Sequence, residues 1–178
     1  MRRRDLGDDE SGRPDQDEND GDGESQHSHE YTLGMNAPAG SGPTPHASPI
    51  QVEWVGGLQF DAGRPDGPKV RIDADAQSGP GPFDMLLASI AACAATDVVE
   101  IMAKQRTPLR AMSVRVEAQR VSETPRRLAS AVLHFSLTGP GITAQKAARA
   151  VELSVTKYCS VRSSLLADVP VTWTIEIV

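Results

Sequence analysis

The alternation of apolar and polar residues predicts that ordered structure begins near residue 50 with a pair of strands. Alternation around Val52 and Trp54 predicts a first strand, interrupted by a bulge or bend at Gly56-Gly57. The segment KVRIDAD, residues 69–75, alternates in the same way and predicts a second strand. The turn-forming residues of DAGRPDGP lie between the two segments, so we expect them to form a hairpin.

The longest apolar-rich segment, PFDMLLASIAACAATDVVEIMAKQ, repeats with a helical period and predicts a helix from Pro82 to Gln105. Pro82 suits the first turn of a helix, and Asp84 lies where a carboxylate interacts favourably with the helix dipole. Small residues, mostly alanine, surround Cys93 in the middle of this segment. We therefore expect the helix to be central, closely packed on several sides and mostly buried.

Two further alternating runs, SVRVEAQRV and LASAVLHFSL, predict a pair of strands joined by the turn SETPRR. Thr143 can cap a second helix that runs from about Ala144 to Tyr158 and ends at Cys159. The terminal segment VTWTIEIV predicts a last strand. The order β-β-α-β-β-α-β is typical of an α+β protein. Without its first strand it is also the ferredoxin-like pattern, so a ferredoxin-like effector module is one alternative.

The N-terminal 48 residues differ in composition from the rest of the chain. They are rich in Asp, Gly, Ser, Pro and His and hold few aliphatic side chains, so they cannot bury enough apolar surface to fold. Residues 1–30 carry eleven acidic side chains against four arginines, a balance of −7, whereas the remaining residues have a balance of +1. We expect a disordered acidic tail over residues 1–48 and one folded domain over residues 49–178.

Several classes of function are disfavoured by the composition. A near-neutral domain without a basic patch, whose strands lack clustered aromatic residues, does not suit nucleic-acid binding. No apolar segment follows the basic start MRRRDLGDDE, as an export signal would require, and the least polar run, Met85 to Ala95, is too short to span a bilayer. The sequence has no glycine-rich nucleotide motif and no zinc-binding spacing. We therefore expect a cytoplasmic protein without nucleic-acid or membrane partners, metal or other cofactor.

The two cysteines, Cys93 and Cys159, are the main candidates for chemistry. Taken singly, each is more often a small core residue than a reactive group. Cys159 is better placed for redox work, because at the end of a helix, close to Lys157 and Arg162, it is expected to remain accessible. Asp97, one turn after Cys93, would oppose a thiolate there. If the two helices pack together, the thiols could act as a pair. One would attack a peroxide to give a sulfenic acid, and the other would resolve it to a disulfide.

A peroxidatic cysteine also needs a cation that favours its thiolate and orients the peroxide. Arg64, in the DAGRPDG turn, and Arg162, shortly after Cys159, are the candidates, and the alternative for each is a solvated surface charge. The residues themselves thus leave two interpretations open, a thiol-based redox enzyme and a small α+β domain with two buried cysteines.

The contexts of the two cysteines resemble a known family. The segment GPGPFDMLLASIAACAATDVV, followed further along the chain by AVELSVTKYCSV, resembles the OsmC/Ohr family of hydroperoxide-handling proteins. The segments WVGGLQF, TPRRLASAVLHFSLTG and KYCSV are most similar to its YhfA-like branch. The resemblance covers about Gln51 to Val178, which is the whole predicted domain.

The resemblance implies an OsmC-like fold of antiparallel sheets wrapped around two central helices in an intertwined homodimer, with active sites at the subunit interface. It implies that Cys93 attacks an organic hydroperoxide and that Cys159 resolves the product, as the corresponding cysteines do in the peroxidase members. It also implies a dithiol reductant such as dihydrolipoamide and a role in the oxidative-stress response. The orienting arginine should come from the early hairpin, where Arg64 matches.

One position departs from the family pattern. The peroxidase members carry a glutamate shortly after the proline that opens the central helix, and the corresponding residue here is Phe83. Asp84 is the neighbouring carboxylate, but it lies about 100° away around the helix. The resemblance therefore allows a second function, that of a non-catalytic member which binds a small apolar ligand or serves as a redox-sensitive stress protein.

Overall fold

The structure is a computed structural model and describes residues 48–178. The elements of this part follow one another as β1 (Gln51–Gly56), β2 (Gln59–Gly63), β3 (Lys69–Asp73), α1 (Pro82–Lys104), β4 (Ala111–Arg120), β5 (Leu128–Thr138), α2 (Ala144–Leu153), a π-helical turn (Ser154–Tyr158), α3 (Ser160–Ser163) and β6 (Val171–Ile177). The predicted disordered acidic tail covers residues 1–48. Of these, residues 1–47 lie outside the part of the chain that the structure describes.

The first sheet is an antiparallel meander in the order β1-β2-β3. The predicted hairpin across the DAGRPDGP turn is confirmed as the β2–β3 pair. The prediction of one strand with a bulge or bend at the glycine pair is wrong, because the chain reverses there and forms two strands, β1 and β2. Gly56 and Gly57 have φ angles of 128° and 54°, which glycine adopts far more easily than residues with a Cβ atom, so the pair makes the reversal.

The second sheet has the order β4-β5-β6, with β4 antiparallel and β6 parallel to β5. This corrects the expectation of purely antiparallel sheets. The parallel pair arises because α2 and the segment after it carry the chain back across the sheet before β6 begins. The ferredoxin-like alternative is also wrong, because β3 pairs with β2 in a separate sheet and leaves three strands where that pattern needs four.

The core lies between the second sheet and the helices. Alternate residues of β5 point inward, and Leu133, Phe135 and Leu137 are at most 2% exposed. α2 contributes the buried face of Ala147, Ala150 and Val151, which its 3.6-residue period places on one side. At the start of α2 the Thr143 hydroxyl accepts the Lys146 N–H at 3.3 Å, so the predicted N-cap is confirmed.

α1 packs one face into this core and leaves the other uncovered in the single chain. The buried residues are Ile90, Ala91, Ala94, Val98 and Met102. On the opposite side Ala88, Ala92 and Val99 are exposed, so the expectation of a mostly buried helix is wrong for one subunit. The apolar residues around Cys93 therefore form a surface as well as a core.

The length of α1 bears on the expectation about membranes. The helix has 23 residues with a mean hydropathy of 1.8 over its most apolar window, so by length and composition alone it could cross a bilayer. The run judged too short from the sequence, Met85 to Ala95, is only part of it. Core helices of soluble proteins meet the same criterion, and 28% of this window is buried against the rest of the chain.

Candidate functional site

Cys93 lies half-buried in the middle of α1, where α1 faces the segment that follows the π-helical turn. Its sulfur is 3.9 Å from the hydroxyl oxygen of Ser160, the first residue of α3. The backbone N–H groups of Val161 and Ser160 and the side chain of Cys159 lie close enough to this sulfur to lower the pKa of Cys93. Cys93 on one helix thus faces the hydroxyl of a residue 67 positions further along the chain.

Cys159 reaches this place because the second helix changes its winding before it ends. The Cys159 N–H donates to the Ser154 carbonyl at 2.9 Å. This i to i−5 bond defines a π-helical turn, which contains one residue more than an α-helical turn. The buried Ser154 hydroxyl donates to the Ala94 carbonyl at 2.8 Å and fixes this turn against α1. At Cys159 the backbone becomes extended, with φ −65° and ψ 99°, and α3 begins at the next residue.

The Cys159 thiol points into the protein. It donates to the Ile90 carbonyl of α1 at 3.9 Å, and its sulfur accepts the Arg162 N–H at 3.4 Å. The residue is 1% exposed, so the expectation that Cys159 remains accessible is wrong. Both cysteines are free thiols, and the structure brings them side by side.

The surroundings shift the pKa values of the two thiols in opposite directions. Partial burial raises the pKa of Cys93, but the N–H of Val161, the Cys159 thiol and the hydroxyl and N–H of Ser160 outweigh it, so the net pKa lies below its usual value. Burial raises the pKa of Cys159 to about 11. The N–H of Arg162 opposes this rise, and the neighbouring Cys93 and the Asp97 carboxylate add to it. Cys93 therefore ionises first, while Cys159 keeps its proton.

Asp97 acts on a different thiol from the one expected. The sequence placed it one turn after Cys93 and suggested that it would oppose a thiolate there. In the structure its carboxylate accepts the Ser154 hydroxyl at 3.4 Å, and its charge contributes to the raised pKa of Cys159. The carboxylate thus favours the protonated form of the buried thiol.

The two candidate arginines lie apart from the Cys93 sulfur. Arg64 is exposed in the β2–β3 loop, where its carbonyl accepts the Lys69 ammonium at 2.9 Å, and within residues 48–178 it makes no contact with either thiol. The Arg162 guanidinium donates to the Val169 carbonyl at 3.5 Å, so this residue serves the site through its backbone N–H to Cys159. Within residues 48–178, backbone and hydroxyl groups thus polarise Cys93, and no guanidinium group contacts its sulfur.

The first turn of α1 has no carboxylate directed at the thiols. Asp84 accepts the Gly81 N–H at 2.9 Å and so caps its own helix. Phe83 is half-buried, and the guanidinium carbon of Arg120 lies 4.3 Å from the centre of its ring. The position of the family's glutamate is therefore occupied by an aromatic side chain that packs against an arginine.

Sequence reasoning missed the donors that polarise Cys93. Ser160 and Val161 follow Cys159 in the KYCSV segment, but nothing in their spacing indicates that α3 starts there or that its N–H groups face another helix. Ser154 did give a signal, since it is a polar residue within the predicted second helix, which runs from about Ala144 to Tyr158. A buried hydroxyl in such a helix needs a partner, and here the partner is α1.

Comparisons with known proteins agree with this fold. The family of OsmC-like proteins matches residues 74–174. Protein YhfA of Escherichia coli is 36% identical over 129 residues, which cover 72% of this chain and 96% of that protein. The crystal structure of an OsmC-like protein from Mycoplasma pneumoniae superposes with a TM-score of 0.66 at 16% identity, covering 76% of this chain and 99% of the other. An organic hydroperoxide resistance protein OsmC from Legionella pneumophila gives 0.56 at 16% identity, covering 75% and 99%. This chain belongs to the OsmC-like protein family.

Proposed function

We propose that this protein is a cytoplasmic, thiol-dependent peroxidase that reduces organic hydroperoxides in the oxidative-stress response. The observation that carries the proposal is the geometry of two free thiols, a half-buried Cys93 that lies 3.9 Å from the Ser160 hydroxyl and a Cys159 that is 1% exposed beside it. The lowered pKa of Cys93 and the raised pKa of Cys159 agree with this arrangement. A peroxidatic cysteine must attack as the thiolate, and a resolving cysteine can remain protonated until it is needed.

The reaction divides into two steps. The Cys93 thiolate attacks one oxygen of the hydroperoxide, the O–O bond breaks, and the alkoxide leaves and takes a proton to become the alcohol. Cys93 is then a sulfenic acid. The Cys159 sulfur, losing its proton, attacks the Cys93 sulfur; the S–S bond forms, the S–O bond breaks, and water leaves. Two electrons pass from the thiols to the peroxide, and the product is a Cys93–Cys159 disulfide.

A dithiol such as dihydrolipoamide would return these two electrons. The first of its thiolates would attack the disulfide at the Cys93 sulfur, because Cys93 is half-buried whereas Cys159 is 1% exposed. Cys159 would leave as the thiol, and the second thiol of the reductant would displace Cys93 from the mixed disulfide. A small dithiol suits this attack better than a protein surface, because the target sulfur lies between two helices.

The surface of the subunit favours a homodimer. A groove of about 310 Å³ runs between α1 and β4, lined by Ala88, Ala91, Ala92, Ala95, Met112 and Val114. The first sheet also exposes large apolar side chains, with Trp54 at 69% and Val52 at 59%. Soluble proteins rarely leave such surfaces uncovered, and a second copy of the chain would bury both. In such a dimer Arg64 of one subunit would serve the thiols of the other.

The comparisons support the family and the fold of this protein more than its reaction. The Legionella pneumophila protein is described as an organic hydroperoxide resistance protein, but at 16% identity it supports the fold alone. The Escherichia coli relative is much more similar and is named only Protein YhfA. The activity proposed here therefore rests on the cysteine pair.

The proposal is tested by turnover. Reduced protein, dihydrolipoamide and cumene hydroperoxide are mixed, and hydroperoxide consumption is followed for the wild type and for the Cys93→Ser and Cys159→Ser variants. We expect catalytic consumption by the wild type, none above background for Cys93→Ser, and at most one turnover for Cys159→Ser. A wild-type rate equal to that of Cys93→Ser would overturn the proposal.

A second candidate function is a non-catalytic member that binds a small ligand. It is favoured by Phe83 at the position where the peroxidase members carry a glutamate, and by the exposed position of Arg64. This candidate predicts that the cysteine variants leave hydroperoxide consumption unchanged. The turnover assay therefore separates the two functions.

A further inference from the structure

A cavity of about 410 Å³ opens beside the first turns of α1, away from the cysteine pair. It lies between α1, the turn that joins β4 to β5, and the segment that follows α3. Its floor is apolar and is formed by Phe83, Leu86, Leu128, Leu165 and Val169. This volume falls within the range that small-molecule sites occupy in proteins.

Three arginines line the same cavity, Arg120 at the end of β4 and Arg126 and Arg127 in the connection to β5. Arg127 is paired, since it donates to the Asp168 carboxylate at 3.1 Å. Arg120 has no carboxylate partner within residues 48–178; it stacks on Phe83 and donates to the Arg126 carbonyl at 2.6 Å. The Arg126 guanidinium likewise has no acidic partner in that range, and no lining residue is acidic. Two of the arginines that line this largely apolar cavity, Arg120 and Arg126, thus have no acidic partner within residues 48–178.

This combination selects a particular chemistry. Arginine offers a planar fork of donors that matches a carboxylate, and its charge-assisted hydrogen bonds are stronger than neutral ones. Arg120 is held in place by the Phe83 ring and by the Arg126 carbonyl, so it is already oriented. We infer that this cavity binds an amphiphilic monocarboxylate, with its acid group on Arg120 and Arg126 and its hydrocarbon chain on the apolar floor.

The inferred site is separate from the proposed peroxidase chemistry. Leu86 is the lining residue of α1 nearest to Cys93 in the chain, and the two are seven residues apart, a rise of about 10 Å. Cumene hydroperoxide has no acid group, so its turnover does not depend on the arginines. Loss of one activity therefore leaves the other to be judged independently.

Binding is measured directly with decanoate, below its micelle concentration, by calorimetry on the reduced full-length protein. We expect saturable binding that persists in Cys93→Ser. The double variant Arg120→Gln/Arg126→Gln should bind roughly tenfold more weakly or worse, the loss expected for a charge-assisted hydrogen bond. Arg110→Gln is the matched control; Arg110 is exposed and lies outside the cavity, so its loss should leave affinity unchanged. Decanol and inorganic phosphate should each bind much more weakly than decanoate.

If the double variant folds poorly, Arg126→Glu provides a second test of the inferred site. The Arg126 side chain makes no hydrogen bond or ion pair within residues 48–178, so its reversal should leave thermal unfolding unchanged while abolishing decanoate binding. Absence of decanoate binding to the wild type, equal affinity for decanol, or unchanged affinity in a folded Arg126→Glu protein would each overturn the inference.

Discussion

The Cys93 sulfur lies 3.9 Å from the Ser160 hydroxyl oxygen, across the junction of α1 and α3. This contact shows that α1 and α3 contribute different groups to the site. α1 places the thiol, and the first residues of α3 supply the N–H and O–H groups that favour its ionised form. Cys159 is the N-cap residue of the same short helix, so the first turn of α3 contacts both sulfurs.

Stepwise removal of the Ser160 donors should raise the pKa of Cys93. Ser160→Ala removes the hydroxyl alone, and Ser160→Pro removes the hydroxyl and the N–H. Proline is compatible here because Cys159 before it is extended and the position opens a helix. We expect the pKa of Cys93 to rise in Ser160→Ala and to rise further in Ser160→Pro, measured by thiolate absorbance in a Cys159→Ser background. An unchanged pKa in Ser160→Pro would contradict this account of the site.

Alkylation of the two thiols should depend on pH in different ways. Only the thiolate reacts with iodoacetamide, so a lowered pKa moves the half-maximal rate at Cys93 to a pH below that of an ordinary thiol. Cys159, with a pKa of about 11 and a buried sulfur, should stay unmodified at neutral pH. Site-resolved mass spectrometry measures both rates in the wild type. Faster labelling at Cys159 than at Cys93 would reverse the assigned roles.

The loop before α1 should lose stability in acid because of Asp73. Its buried carboxylate accepts the Ser78 N–H and hydroxyl at 2.9 and 2.8 Å, and these bonds lower its pKa from 3.8 to about 2. A lowered folded pKa means that the stabilisation is present above pH 3.8 and is lost as the pH falls through about 2. Asp73→Asn should therefore lower Tm at pH 7, and the difference should vanish near pH 2.

Asp75→Asn is the control for that measurement. Asp75 is exposed and takes part through its backbone N–H, which donates to the Asp73 carboxylate at 3.1 Å. Its side chain should therefore be dispensable at pH 7. A Tm loss as large as that of Asp73→Asn would mean that the loop responds to charge alone.

The proposed dimer makes a prediction about Arg64. If Arg64 of one subunit orients the peroxide at the thiols of the other, Arg64→Gln and Cys93→Ser should each be inactive alone. Random subunit exchange between them should restore about a quarter of the wild-type rate, since half of the dimers then hold one complete site. The control mixes Arg64→Gln with a Cys93→Ser/Arg64→Gln double variant and should stay inactive. No recovery in the first mixture would place Arg64 in its own subunit or outside the site.

The regular elements could be predicted because their periods are local. The helix predicted from Pro82 to Gln105 is observed as Pro82–Lys104, and the strand predicted from KVRIDAD is observed as Lys69–Asp73. The glycine pair was identified as a break, but periodicity does not distinguish a bulge from a reversal. That choice depends on which strand the chain pairs with next.

The site itself could be predicted only in part. Two cysteines on two helices suggest a pair, but their protonation states depend on contacts between α1 and a segment sixty or more positions away. The π-helical turn that buries Cys159 has no sequence signature, since Ser154–Tyr158 continues the helical pattern of α2. Asp97 was assigned to the wrong thiol for the same reason, because helical spacing alone does not show which neighbour a side chain faces.

The central claim is that Cys93 is oxidised first and Cys159 then resolves it. The most direct test adds one equivalent of cumene hydroperoxide to reduced protein in the presence of dimedone and measures intact mass. We predict an internal disulfide in the wild type, a dimedone adduct on Cys93 in Cys159→Ser, and unmodified protein in Cys93→Ser. An adduct on Cys159 in the Cys93→Ser protein, or an unreacted wild type, would contradict the account.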